Sequence, residues 1–167
     1  MQIDEEVLLE LGVPSERYRI VVVGGSALVL SSLTTRPATR DIDVLETDVR
    51  IQEILNRYAM VNSRVSAYAD EIPFGFEDRL VEIALDTRAV QYFRPSVEDL
   101  AVMKLYALRP NDLSDLKSPE FLARIDWVTL RHLVYDPDEA PASALSERRW
   151  REMADSFERY ERGWRNA

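Results

Sequence analysis

The chain has 167 residues, 46% of them hydrophobic and 31% charged, and carries a net charge of −9 at pH 7. That is the length of a single domain, with no apolar run near the roughly 18 residues of a membrane span and no basic surplus with which to hold DNA broadly. It has no cysteine and a single histidine, His132, which removes disulfide frameworks, Cys-ligated zinc and Cys nucleophiles and nearly removes multi-His metal sites and Ser-His-Asp triads.

The first ten residues, MQIDEEVLLE, are acidic and lack the basic start and apolar stretch of a secretory signal, so a cytoplasmic protein is expected. Ile20–Val23 is a β-branched run of the kind that forms a buried strand. Gly24-Gly25-Ser26 follows as a turn, and SALVLSSL as a short helix. TTRPATR is a polar loop, DIDVL a strand, and TDVRIQEILNRYA a helix capped by Thr47 or Asp48. The stretch from Met60 to Arg79 is irregular, punctuated by Pro73 and Gly75. LVEIALD alternates as a half-buried strand, with Val81, Ile83 and Leu85 on one side, and AVQYF is another strand, ending at Pro95. The second half is helical. Ser96-Val97-Glu98-Asp99 has capping-box spacing and opens a helix to Arg109, Ser118-Pro119-Glu120 opens one to Val134, and a last helix runs from Ala142 to Arg162. The expected fold class is α+β: one domain over 1–167, with an α/β core at 1–95 and a helical part at 96–167.

Carboxylates, hydroxyls, Lys and Arg are left to carry any chemistry, and carboxylates pair naturally with a divalent cation or, through it, with phosphate. Gly24 and Gly25 let a ligand approach the backbone closely, and Ser26 adds a hydroxyl. A plain tight turn is the alternative. Asp41 and Asp43, two apart on a strand, project from one face and would relieve their repulsion on Mg²⁺; a solvated strand face is the alternative. Glu82, or less favourably Asp86, would bring a third carboxylate if its strand neighbours DIDVL, and is otherwise an exposed charge. Lys104 falls inside the apolar stripe of Val97, Leu100, Ala101, Leu105 and Leu108. It either pairs with Asp112 or Asp115 or reaches a triphosphate, and both can hold at once. His132 falls on the stripe of Phe121, Ile125 and Val128 as a core residue. Trp150, Met153, Phe157, Tyr160 and Trp164 form an apolar seam that packs on the domain or a second subunit, with a partner-docking helix as the sharper reading.

Taken in order, VVVGGSALVLSSLTTRPATRDIDVL resembles the first motif of the nucleotidyltransferase superfamily, the polymerase-β-like fold. Gly24-Gly25-Ser26-Ala27 and the later Arg36, Thr39, Asp41 and Asp43 are similar to the branch of AbiEii-type toxins and their small relatives. So is the helix carrying Lys104 and followed by Asp112 and Asp115. The resemblance covers Ile20 to Leu116. It implies that Gly24, Gly25, Ser26, Arg36, Thr39 and Lys104 hold an NTP, that Asp41, Asp43 and a third carboxylate, Glu82, bind Mg²⁺, and that a nucleoside monophosphate passes to a hydroxyl of an RNA (tRNA) or protein acceptor. The superfamily generally has aspartate at the third position, and Glu82 has a longer reach. A toxin–antitoxin or defence role, with a cognate antitoxin or toxin or a homodimer as partner, is implied likewise. Two other readings stand beside it. One is a catalytically silent binding module or antitoxin; the other is an antibiotic-type modifier of small molecules.

Overall fold

The structure, a computed structural model, describes residues 2–62, 71–140 and 147–165. Its centre is a mixed five-stranded sheet of β1 (Tyr18–Val23), β2 (Ile42–Thr47), β3 (Val61–Asn62), β4 (Val81–Ile83) and β5 (Val90–Arg94), in the spatial order β3-β2-β1-β5-β4. β1, YRIVVV, buries every residue but Arg19, as a strand covered on both faces must. β2 runs antiparallel to it, with Val23 opposite Asp43, and β5 runs parallel on its other side. β3 lies parallel to β2 at one edge and β4 antiparallel to β5 at the other.

Helix α1 (Gln2–Leu11) precedes the sheet, where the sequence had suggested no element. It buries Ile3 and Val7, and its Asp4 carboxylate accepts the backbone N–H groups of Arg88, Ala89 and Val90. Those donors are thereby withheld from the sheet, and β4 stops at Ile83 instead of running through Asp86. Helix α2 (Gly24–Leu30) leaves β1 directly. Helix α3 (Val49–Leu55) is capped by Asp48, whose carboxylate accepts the Arg50 N–H at 3.0 Å. In the irregular stretch after Met60, β3 and a 3₁₀ turn at Phe76–Arg79 are seen, and residues 63–70 lie outside the described ones.

Helix α4 (Val97–Ala107) has the expected capping box: the Asp99 N–H donates to Ser96 Oγ at 3.0 Å and the Ser96 N–H to Asp99 Oδ2 at 3.3 Å. Every residue from Val97 to Leu105 is buried, so this helix is the pillar of the helical half, enclosed on all sides. The residues after it form a helix of their own, α5 (Pro110–Leu116), with Pro110 at its first position and Asp112 accepting the Arg109 N–H. The helix expected from Ser118 to Val134 is two, α6 (Pro119–Leu122) and α7 (Trp127–Tyr135). Asp126 breaks it: its carboxylate caps the Val128 N–H at 3.0 Å while its own N–H donates to Glu98 at 2.8 Å. The restart resets the helical phase. Leu130, Leu133 and Val134 face the core, and His132 is turned to solvent beside Asp136, 3.4 Å away, so the core reading of His132 is corrected.

Helix α8 (Glu147–Trp164) carries the aromatic seam; residues 142–146 of the expected helix lie outside the described residues. Met153, Phe157 and Tyr160 are buried on this chain's own α4 and α7, with Trp150 and Trp164 half-buried beside them. Tyr160 Oη donates to the Leu116 carbonyl at 2.6 Å and Trp150 Nε1 to the Val134 carbonyl at 3.0 Å. Buried side chains of the sheet and of the C-terminal helices belong to one apolar cluster. Among the described residues, no helix is long and apolar enough to cross a membrane. The architecture is α+β, a small mixed sheet with flanking helices followed by C-terminal helices.

Candidate active site

At the C-terminal end of β1 a cleft of about 650 Å³ opens between the sheet and the α4–α5 corner. Its sheet-side wall is Gly24, Gly25, Asp41, Asp43 and Asn62; its helical wall is Lys104, Arg109, Asn111, Asp112 and Asp115, with Arg36 and Thr39 of the intervening loop between them. The volume is within the range of small-molecule sites, and the lining is mostly polar.

Gly24 stands where the chain turns from β1 into α2, with φ +62°. A Cβ there would lie 2.7 Å from Asp43 Oδ2, so glycine is required both by the backbone and by the carboxylate packed over it. A Cβ on Gly25 would meet Arg36 Nη2 at 3.0 Å and Thr39 Oγ1 at 3.4 Å. The glycine pair thus seats the two polar groups of the loop against the strand end. Ser26 does not join them. It is buried, and its hydroxyl donates back to the Val23 carbonyl at 2.7 Å, a local closure of the turn.

Asp41 and Asp43 both reach the cleft, Asp41 from just before β2 and Asp43 from within it. Thr39 Oγ1 lies 3.5 Å from Asp41 Oδ1, and Asn62 Nδ2 donates to Asp43 Oδ1 at 3.1 Å. Burial pushes the Asp43 carboxyl above the usual carboxylate range. The charge of Asp41 adds to this, while the Asn62 amide, Arg109 and Lys104 oppose it without prevailing.

Lys104 is 3% exposed, and its Nζ donates to Asp115 Oδ2 at 2.7 Å and to Asp112 Oδ1 at 3.0 Å. The structural pairing is therefore real, and the lysine still borders the cleft. Arg36 Nη2 donates to the same Asp115 Oδ2 at 2.7 Å, and Arg109 Nε to Asp112 Oδ2 at 3.0 Å. Three cations and two carboxylates thus form one network, buried at Lys104, Asp112 and Asp115 and open to solvent at Arg109, in which each aspartate bridges Lys104 to an arginine. It fixes the cationic side of the cleft opposite Asp41 and Asp43.

Glu82 is elsewhere. β4 neighbours β5 at the edge of the sheet opposite to β3, so the adjacency to β2 that would have carried Glu82 to the aspartates does not exist. Its exposed carboxylate pairs with Arg17 at 3.2 Å, and Asp86, past the end of β4, is exposed as well. The strand that does neighbour β2 is β3, and it places Asn62 beside Asp43. Nothing in the sequence singled out Asn62, in a two-residue strand without periodicity. Arg109 and Asn111 had a readable signal in the Pro110 helix start.

Over residues 1–165 the chain matches the family described as "Nucleotidyltransferase of unknown function (DUF6036)". The chain belongs to this nucleotidyltransferase family. The match bears out the superfamily resemblance of the Gly-Gly-Ser to Asp-x-Asp segment and does not reach the toxin branch. No curated protein and no solved structure matches the chain. The cleft gathers the motif residues Gly24, Gly25, Asp41 and Asp43 of this family member together with Lys104 and Arg36.

Proposed function

We propose that the chain is a Mg²⁺-dependent nucleotidyltransferase that moves a nucleoside monophosphate from an NTP to a hydroxyl of a protein or RNA (tRNA) acceptor. The observation that carries this is the facing of two cleft walls, Asp41 and Asp43 on one and the cations Lys104 and Arg109 on the other, with Arg36 between them. A triphosphate with its cation needs both signs of charge at once. Among the described residues no group of three or more acidic or histidine side chains is arranged to hold a metal ion. The two aspartates nevertheless fit Mg²⁺, which is held by one or two carboxylates and completes its octahedron with substrate phosphates and water. Their mutual repulsion and the burial of Asp43 are what such an ion relieves. When bound, it neutralises charge on the phosphate oxygens.

The chain's own residues then do the rest by placement. Gly24 and Gly25 let Asp43, Arg36 and Thr39 seat against the strand end, Lys104 and Arg36 take the outer charge of the phosphates, and the acceptor oxygen attacks the α-phosphorus. A new O–P bond forms, the α-phosphorus to bridging-oxygen bond breaks, pyrophosphate leaves, and the acceptor's hydroxyl proton passes to the water of the open cleft. Positioning and charge neutralisation dominate in such transfers. The net charge of −9 favours a protein acceptor over tRNA. A toxin–antitoxin setting remains part of the proposal and rests on the likeness of the Lys104–Asp115 segment to the toxin branch.

A second reading, a catalytically silent member acting through a partner, is favoured by the two-carboxylate wall itself. The two separate in a label-transfer assay with Mg²⁺, each α-³²P NTP, total RNA and cell protein. Label on RNA or protein with the native chain, and none with Asp41→Asn/Asp43→Asn, is the expected result. No label with a folded native chain overturns the transferase reading.

A further inference from the structure

We infer that copies of the chain associate head to tail, the tip of α1 on one copy docking into an apolar, cation-edged groove between α5 and α8 on the next.

The groove, of about 460 Å³, lies where α4 ends, α5 follows and the last turns of α8 pass beside them. Leu116 and Tyr160 line it as buried residues, and Leu108 and Leu113 line it with large apolar side chains left exposed. Leu108 does so at a backbone cost. It ends α4 with φ +48°, in the left-handed region where a helix end ordinarily places glycine. A leucine held in that conformation, with its side chain in an open groove, adds little to this chain's own core, and strain of this kind gathers where a residue serves a ligand or partner. Lys117 and Arg159 edge the same groove. Arg159 donates to Ser156 Oγ at 3.0 Å, and among the described residues neither cation is in an ion pair. Two cations left over beside an apolar surface, in a chain of net charge −9, call for an apolar occupant that carries a carboxylate.

The chain carries such a segment itself. At the end of α1, Leu9 is 86% exposed and Val13, just past the helix, 76% exposed, with Leu11 exposed between them. Glu5 stands one helical turn before Leu9, on the same face, exposed and, among the described residues, in no ion pair. Three large apolar side chains this close together make a contiguous patch, the mark of an interaction surface. Tip and groove are both open in the single chain, because α1 packs on α3 and β5 while the groove is framed by α4, α5 and α8. They meet between copies, and since they are different surfaces the contact is heterologous. Helix α5 turns Asp112 and Asp115 to the cleft and Leu113 and Leu116 to the groove, so a docked copy braces the helix whose aspartates hold Lys104. The association does not depend on nucleotidyl transfer.

The test is sedimentation equilibrium of the full chain from micromolar to millimolar concentration, beside Leu9→Asp and Leu113→Asp. The native chain is expected to rise with concentration to at least twice the mass of one chain, and each variant alone to stay at the mass of one. Leu9→Asp keeps an intact groove and Leu113→Asp an intact tip, so an equal mixture of the two should form pairs and nothing larger. A native chain that stays single throughout, a variant that associates alone like the native chain, or a mixture without pairs overturns the inference. If Leu113→Asp does not fold, the exposed Lys117→Glu takes its place, with association at least about 10-fold weaker, as like charges set against each other require; undiminished association in that variant overturns the inference equally.

Discussion

Asp4 Oδ1 accepts the backbone N–H of Ala89 at 2.7 Å, across 85 positions of sequence. The same carboxylate takes the N–H groups of Arg88 and Val90, so one side chain near the start of α1 closes the turn that leads into β5. A carboxylate caps three backbone donors that the sheet does not use.

Asp4→Ala should therefore destabilise the fold by about 3 kcal/mol, because it orphans buried N–H groups. Urea unfolding measures this. Burial raises the Asp4 carboxyl, but the three donors and the charge of Arg88 outweigh it and hold it below the usual range. A lowered folded value means stability that is complete above about pH 5 and is lost as the pH falls below about 4, through the folded value. Asp4→Asn should lack that part of the acid limb.

Lys104→Met should do more than weaken phosphate binding. It leaves Asp112 and Asp115 buried without their common partner, and breaking such a pair costs about 3–5 kcal/mol. A melting temperature equal to that of the native chain would contradict the network described above.

Gly24→Ala and Gly12→Ala form a matched pair. Both glycines have positive φ, +62° and +75°, and each substitution should cost about 1–2 kcal/mol of backbone strain. Only at Gly24 does the new Cβ strike Asp43; at Gly12 nothing lies within 4 Å. If Asp43 holds the proposed Mg²⁺, NTP affinity by calorimetry should fall at least about 10-fold for Gly24→Ala, as is usual when a metal site is disturbed, and stay unchanged for Gly12→Ala.

Phe157→Ala should lower stability by about 3–5 kcal/mol, since the ring is fully buried between α8 and the helices beneath it. If the seam were instead a surface awaiting a partner, the melting temperature of the isolated chain would not move.

Much of this was legible in the sequence because local chemistry and tertiary role coincide there. Gly24-Gly25 after Ile20–Val23, Asp-Ile-Asp on a strand, and the Ser96–Asp99 box each carry their own signal. Lys104 inside an apolar stripe announced its burial, and the two aspartates ahead of it announced the partners. What failed were inferences needing strand order or helical phase. Glu82 sits on a properly alternating strand, but alternation does not say which strand lies next to which. His132 was placed by a stripe read across Asp126, and one capping residue rotated every position beyond it. Ser26 had the right type and position, yet its hydroxyl is spent within its own turn. Asn62 became visible only through its register with Asp43.

The cleft draws one wall from residues 24–62 and the other from residues 104–115. During synthesis the two aspartates leave the ribosome before the lysine that faces them, and the lysine cannot settle until α5 delivers Asp112 and Asp115. The first half of the chain thus holds one wall only, and the cleft comes into being only with the helical half. Two separately expressed pieces, divided near Pro95, should regain nucleotide binding on mixing if each keeps its wall.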